Sequence, residues 1–173
     1  MTLNKPIFLK ISFLACLLLY SLSCSVKYSF TGASISPEIK TISIQDFPNL
    51  APLVNPQLTV KFIEKMKDRF INQTSLVLIN GAGDLNFEGE FVDYSTMPVD
   101  IQGGDVAAKN RLTIVVKVRF SNAYDPKQNF DERFSRYADY DNTKTLEEAQ
   151  NDLVETILDE IIDDIFNKSV ANW

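Results

Sequence analysis

An α+β two-layer sandwich follows from three features of the chain: a mostly antiparallel sheet of four to six strands with two helices on one face. Two segments, residues 55–72 and 145–169, carry apolar residues every three to four positions with charges elsewhere, the pattern of a helix buried along one side. Three segments beginning at Leu85, Leu112 and Phe130 alternate apolar and polar residues, as half-buried strands do. The order is strand, strand, helix, short strand, three-strand meander, helix, and helices arranged around a meander in this way pack as a layer on a sheet. Each helix has one apolar face, so both are expected on the same side.

Taken in order, Val26 to Ile35 reads as a first extended segment, with Val26, Tyr28 and Phe30 alternating with Lys27, Ser29 and Thr31. Glu38 to Phe47 reads as a second, marked by Ile39, Ile42 and Ile44. Pro48, Pro52 and Pro56 then punctuate a loop. Asn55-Pro56 predicts a helix start, with Asn capping free amides and Pro at the first helical position. Leu58, Phe62, Met66 and Phe70 form its stripe, joined by Ile63 and Ile71, and Asn72 to Ser75 ends it.

Leu76 to Ile79 is a short apolar strand, followed by turn chemistry at Asn80-Gly81 and Gly83-Asp84. Leu85, Phe87, Gly89 and Phe91 define a half-buried strand running to about Met97, and Pro98 to Lys109, with Gly103-Gly104, reads as a loop or hairpin tip. Leu112, Ile114, Val116, Val118 and Phe120 give the clearest alternation, opposed by Thr113, Val115, Lys117 and Arg119. After the Asp125-Pro126 turn, Phe130 to Tyr140 returns as a strand with Phe130 and Phe134 on one parity and Arg133 and Tyr137 on the other. The last helix opens on a capping box, Thr145 and Glu148. Its apolar face runs through Leu146, Leu153, Ile157, Ile161 and Ile165. The acidic residues Glu147, Asp152, Glu155, Asp159, Glu160 and Asp163 are expected to form a solvated face.

The first 24 residues carry an address. Lys5 and Lys10 lead into the apolar run Ile11 to Leu22, then Ser23 and Cys24, which describes an export signal with a cysteine directly after the cut. The run is shorter than the ~20 apolar residues of a spanning helix. Residues 1–23 are therefore expected to be a signal peptide, and residues 24–173 a single domain lipid-anchored at Cys24. Ser21 stands where lipoprotein signals usually carry Leu. An ordinary soluble signal peptide, or an uncleaved anchor with Cys16 among its apolar residues, remains an alternative. Cys16 and Cys24 are the only cysteines, so the mature chain has no disulfide framework.

Composition excludes several functions. All 23 acidic residues lie in the mature part and two of the 17 basic ones leave with the signal, giving a mature net charge of −8. That argues against nucleic acid, which is bound by neutralising phosphates. The chain has no histidine. Without histidine or a free thiol, most nucleophile–base pairs and zinc sites lose their usual groups. No cofactor is expected.

The remaining catalytic reading is a carboxylate pair, Asp131/Glu132 or Asp139/Asp141, acting as acid and base on a glycoside. Acidic pairs are common on an acidic surface, so no catalytic residue is assigned. Asp139-Tyr140-Asp141-Asn142 lacks the glycine and terminal glutamate of a calcium loop and reads as a polar turn. Lys117, Arg119 and Arg133 share strand parity. They are the candidate contacts to a phosphate-rich glycolipid headgroup or a partner, against the plainer reading of cross-strand pairing with Glu88, Glu90, Asp131 or Glu132.

A resemblance runs through the mature chain. Tyr28-Ser29-Phe30-Thr31-Gly32-Ala33-Ser34-Ile35, Leu53-Val54-Asn55-Pro56 and Gly83-Asp84-Leu85-Asn86-Phe87-Glu88-Gly89 begin it. Asn110-Arg111-Leu112-Thr113-Ile114, Phe134-Ser135-Arg136-Tyr137-Ala138-Asp139-Tyr140 and Asp164-Ile165-Phe166-Asn167 complete it. In order and spacing these resemble LptE, the lipopolysaccharide-assembly lipoproteins, in their Bacteroidetes form. The resemblance implies a non-enzymatic lipoprotein of the outer membrane, lipid-anchored and facing the periplasm. It also implies a place in the lumen of an LptD-type β-barrel translocon, helping to put lipopolysaccharide on the cell surface. The other function considered is a periplasm-facing ligand-binding or outer-membrane assembly lipoprotein with no lipopolysaccharide role.

Overall fold

The computed structural model describes residues 35–53, 55–99 and 109–171. The expected signal peptide, Cys24, the expected extended segment before Ile35 and the Gly103-Gly104 stretch lie outside the described residues. The elements are β1 (Thr41–Ile44), α1 (Leu58–Gln73), β2 (Val77–Leu78), β3 (Leu85–Val99), β4 (Lys109–Asn122), β5 (Phe130–Asp141) and α2 (Leu146–Phe166). A short 3-10 turn, Pro126–Gln128, joins β4 to β5, and a π-turn, Asn167–Ala171, extends α2. The sheet order is β2-β1-β3-β4-β5. The β3–β4–β5 meander is antiparallel and β1 is parallel to both its neighbours. The expected α+β fold and mostly antiparallel sheet are present, with a parallel corner at β1.

That corner has a local cause. β2 pairs with Thr41 and Ile42 on one side of β1, and β3 begins at Ile42 on the other. The chain between them must therefore cross the β1 backbone. Gly83 makes the crossing: a Cβ there would stand 2.8 Å from Ser43 N and 2.9 Å from the Ile42 carbonyl carbon, closer than side chains pack. Polar bonds pin it. The Asp84 carboxylate accepts from the Lys40 and Thr41 amides, each at 2.9 Å, while Gly83 N donates to Ser43 Oγ at 3.0 Å.

One core lies between the sheet and both helices. Leu58, Phe62, Met66 and Phe70 of α1 are fully buried, as their spacing predicts. So are Leu112, Ile114, Val116 and Val118 of β4, with Phe120 nearly so. Aromatic contacts connect the layers, from Phe130 to Phe120 to Phe87 to Phe70 to Phe166, with ring centroids 4.8–5.1 Å apart. Such pairs add about 0.5–1.5 kcal/mol each beyond burial.

Several expectations shift. α1 starts at Leu58 behind Gln57, and Asn55 instead accepts from the Gln57 amide ahead of the helix. Ile71 is exposed, lying off the stripe. β3 reaches Val99, two residues past the expected end. A bulge between Phe91 and Asp93 resets its alternation, so Tyr94 turns into the core. The Thr145–Glu148 capping box forms with both reciprocal bonds.

The acidic face of α2 is only partly a solvated surface. Glu155, Asp159 and Asp163 meet Lys61, Lys65 and Arg69 of α1 at 2.6–2.9 Å. The rungs ascend together on both helices, so the helices run parallel. On the other flank Arg136 of β5 holds Asp164 at 2.7 Å, and Lys168 holds Glu132 at 3.0 Å.

Candidate functional site

The helices cover one face of the sheet and leave the other open. Strand parity puts Glu88 and Glu90 of β3, Arg111, Lys117 and Arg119 of β4, and Asp131, Arg133, Tyr137 and Asp139 of β5 on that open face. Register decides who meets whom. Arg119 stands opposite both Glu88 and Asp131, and Lys117 opposite both Glu90 and Arg133.

Arg119 bonds Glu88 at 3.0 Å and reaches Asp131 at 3.5 Å, while Lys117 turns to Asp131 at 3.2 Å. The cross-strand pairing weighed from the sequence is therefore formed by two of the three candidate cations. Arg133 is exposed and has no ion pair among the described residues. Its direct neighbour across the ladder is Lys117, a like charge, which costs stability where nothing offsets it.

Beside these residues an open groove of about 790 Å³ runs under the crossing segment. Asp46, Glu88, Glu90 and Asp131 outnumber Lys117 and Arg119 in its lining, so the groove itself is acidic. Farther along the face, Arg111 makes a two-pronged bond to Asp139, at 2.6 and 2.9 Å, and lies 3.7 Å over the Tyr137 ring. Sequence parity found Tyr137 but gave no hint of this stack, which depends on a diagonal cross-strand neighbour.

The carboxylates are arranged as ion-pair and turn partners. Asp131 and Glu132 point to opposite faces, one to Lys117 and Arg119 and the other to Lys168. Arg111 holds Asp139 below the usual carboxylate range, and the Thr143 amide and hydroxyl do the same for Asp141. Every carboxylate whose titration is moved among the described residues moves down. A glycosidase acid needs the reverse. Asp141 Oδ1 accepts from both Thr143 groups, which makes residues 139–142 the expected polar turn.

These features define a small α+β domain with one hydrophobic core and a charged, ion-paired open sheet face. The described residues contain no helix long and apolar enough to cross a membrane. The family model for LptE, lipopolysaccharide-assembly, matches residues 39–169, and the chain belongs to that family. Its general role is in lipopolysaccharide assembly.

No curated protein sequence matches. Among solved structures, a minor lipoprotein from Acinetobacter baumannii is similar at 13% identity and a TM-score of 0.50, over 78% of this chain and 95% of that one. A hypothetical protein from Chlamydia trachomatis is similar at 11% identity and 0.51, over 78% and 99%. At these identities the likeness is one of fold.

Proposed function

We infer that residues 1–23 are removed, that Cys24 carries acyl chains, and that the domain of residues 24–173 is held at the outer membrane facing the periplasm. There it occupies the lumen of an LptD-type β-barrel and assists the placing of lipopolysaccharide at the cell surface, without catalysis of its own. Beside family membership, the observation that carries this reading is the exterior. The open sheet face is covered with charges of both signs in cross-strand pairs. A barrel lumen is polar and wet, and a rigid body with a charged face fits it. Tethering raises the effective concentration of the domain at its partner, so each contact can be weak.

Lys117, Arg119 and Arg133 stand unequally in this reading. Lys117 and Arg119 would exchange Asp131 and Glu88 for an outside anion. Arg133 has no such partner among the described residues, and its place opposite Lys117 works against stability. It is the first candidate of the three for contact with lipopolysaccharide or the barrel.

Detergent extraction of the tagged full-length protein from its own outer membrane tests the reading. The expected result is a large β-barrel protein in stoichiometric amount, an acylated Cys24 in the N-terminal peptide, and less surface lipopolysaccharide on depletion. Recovery of the chain alone, with an unmodified amino terminus, overturns it.

A further inference from the structure

The two long edges of the sheet are protected very differently. β5, the edge on one side, carries six charged residues among Phe130–Asp141, and Arg136 and Glu132 on its helix-side face are tied to Asp164 and Lys168. Charges of this kind are how edge strands avoid pairing with other chains. On the other side the far half of β3 is also an edge. β1 pairs with β3 only from Leu85 to Phe87, and the loop after it adds a last parallel bridge, Asn49 to Phe91. Past Phe91, among the described residues, β3 pairs only with β4.

Backbone direction there follows from the bulge. Phe91 gives both its amide and its carbonyl to the Pro48–Leu50 loop. The register then steps so that Asp93 pairs with Val115. Asp93, Ser95, Met97 and Val99 face β4, and the backbone groups of Tyr94, Thr96 and Pro98 face outward. Only Asp93 is charged between Asp93 and Val99. Thr96 and Pro98 are exposed, and Met97 is 54% exposed. Leu50, at 63%, and Leu53, at 46%, lie on the loop that leads to this row.

We propose that the Asp93–Val99 edge of β3 is a strand-addition site, filled by an extended, uncharged segment of the β-barrel partner. The inference rests on the reading under Proposed function. The incoming segment continues the row that β1 and Asn49 begin, spans about 20 Å at ~3.3 Å per residue, and places apolar side chains against Leu50 and Met97. Main-chain bonds then supply affinity and the flanking side chains selectivity. A second copy of this chain fits less well. The longest two-fold antiparallel pairing, centred on Thr96, sets each Tyr94 opposite a Pro98 that has no amide to donate to the Tyr94 carbonyl.

The test uses the full-length tagged protein extracted from its own outer membrane, as wild type and as Thr96→Pro. The Thr96 amide faces away from β4, so proline there spares the ladder. The expected result is a folded variant that retains the barrel at least about tenfold less well. In the wild-type complex the Tyr94 and Thr96 amides are expected to exchange slowly, and in the free protein fast. That exchange measurement stands even if the variant fails to fold. Full retention of the barrel by Thr96→Pro, or fast exchange at both amides within the complex, overturns strand addition and leaves the family role intact. A free protein that is dimeric, with both amides already slow, overturns it in favour of a second copy. Wild type that brings down no barrel overturns this inference together with the reading beneath it.

Discussion

The Phe47 ring lies over Gly89. A Cβ built on Gly89 would stand 2.6 Å from Phe47 Cε1, and closer still to the Lys117 carbonyl oxygen. Gly89 falls on the inward parity of β3, between Phe87 and Phe91, where a side chain is expected. Instead the loop after β1 fills that space with Phe47, which then meets Phe62 of α1 edge-on at 4.9 Å.

Gly89→Ala is therefore expected to destabilise by about 3 kcal/mol, the upper part of the range for overpacking, because backbone rather than a movable side-chain end stands in the way. Urea denaturation should show a lower midpoint at unchanged slope. Adding Phe47→Leu should return part of the loss, since the two sites share one space. Strict additivity of the two changes would show that the ring and the glycine are not coupled.

Asp84 gives the protein an acid limit. The Lys40 amide first, then the Thr41 hydroxyl and amide, hold its carboxyl below its ordinary value of 3.8. Its folded pKa is lower than its unfolded one, so the unfolded chain binds more protons as pH falls. The stabilisation is complete above about pH 4–5 and is lost as pH falls through the folded value. Asp139, Asp141, Glu148 and Glu155 are shifted the same way and act together with it. Thermal melts from pH 7 to pH 3 should be flat and then fall. Asp84→Asn should lose about 1 kcal/mol at pH 7 and flatten the acid limb. An unchanged limb in the variant would remove Asp84 from this account.

The ladder between the helices predicts a salt dependence. Lys65 sits between Glu155 at 2.8 Å and Asp159 at 2.6 Å, and its side chain is 25% exposed. Burial alone would lower its pKa, but the bonds to Asp159 and Glu155 win and raise it. Lys65→Ala is expected to cost about 0.5–1 kcal/mol at low salt and clearly less in 1 M salt, where charges are screened within ~3 Å. A cost that is independent of salt would mean the lysine stem contributes by packing instead.

Local pattern made some of this fold legible and left the rest hidden. The Leu58, Phe62, Met66 and Phe70 stripe of α1, the Leu112 to Phe120 alternation and the Thr145–Glu148 box depend on residues a few positions apart, and these stand as read, Ile71 alone falling off the stripe. The parallel placement of β1 depends on Gly83 crossing a strand forty residues earlier in the chain. The burial of Tyr94 depends on one bulge residue, which reverses parity without any mark in composition. The acidic side of α2 looked solvated because its partners, Lys61, Lys65 and Arg69, lie ninety or more positions away. At the open face, parity put Lys117, Arg119 and Arg133 together, but register alone revealed that two are paired and that the third stands across from a like charge.

That last arrangement separates stability from function. Arg133→Glu would turn the Lys117–Arg133 cross-strand pair from like to opposite charges, a gain of about 0.2–1 kcal/mol. Competition from Asp131 for Lys117 holds it toward the lower end. Arg119→Glu does the reverse, setting three carboxylates together at Glu88 and Asp131, and should lower the melting temperature. If Arg133 meets an anionic group in the envelope, Arg133→Glu yields a protein at least as stable as wild type that supports less surface lipopolysaccharide. Melting temperature and surface lipopolysaccharide, measured on the same two variants, check this. A more stable Arg133→Glu with undiminished surface lipopolysaccharide would leave the arginine without a contact role.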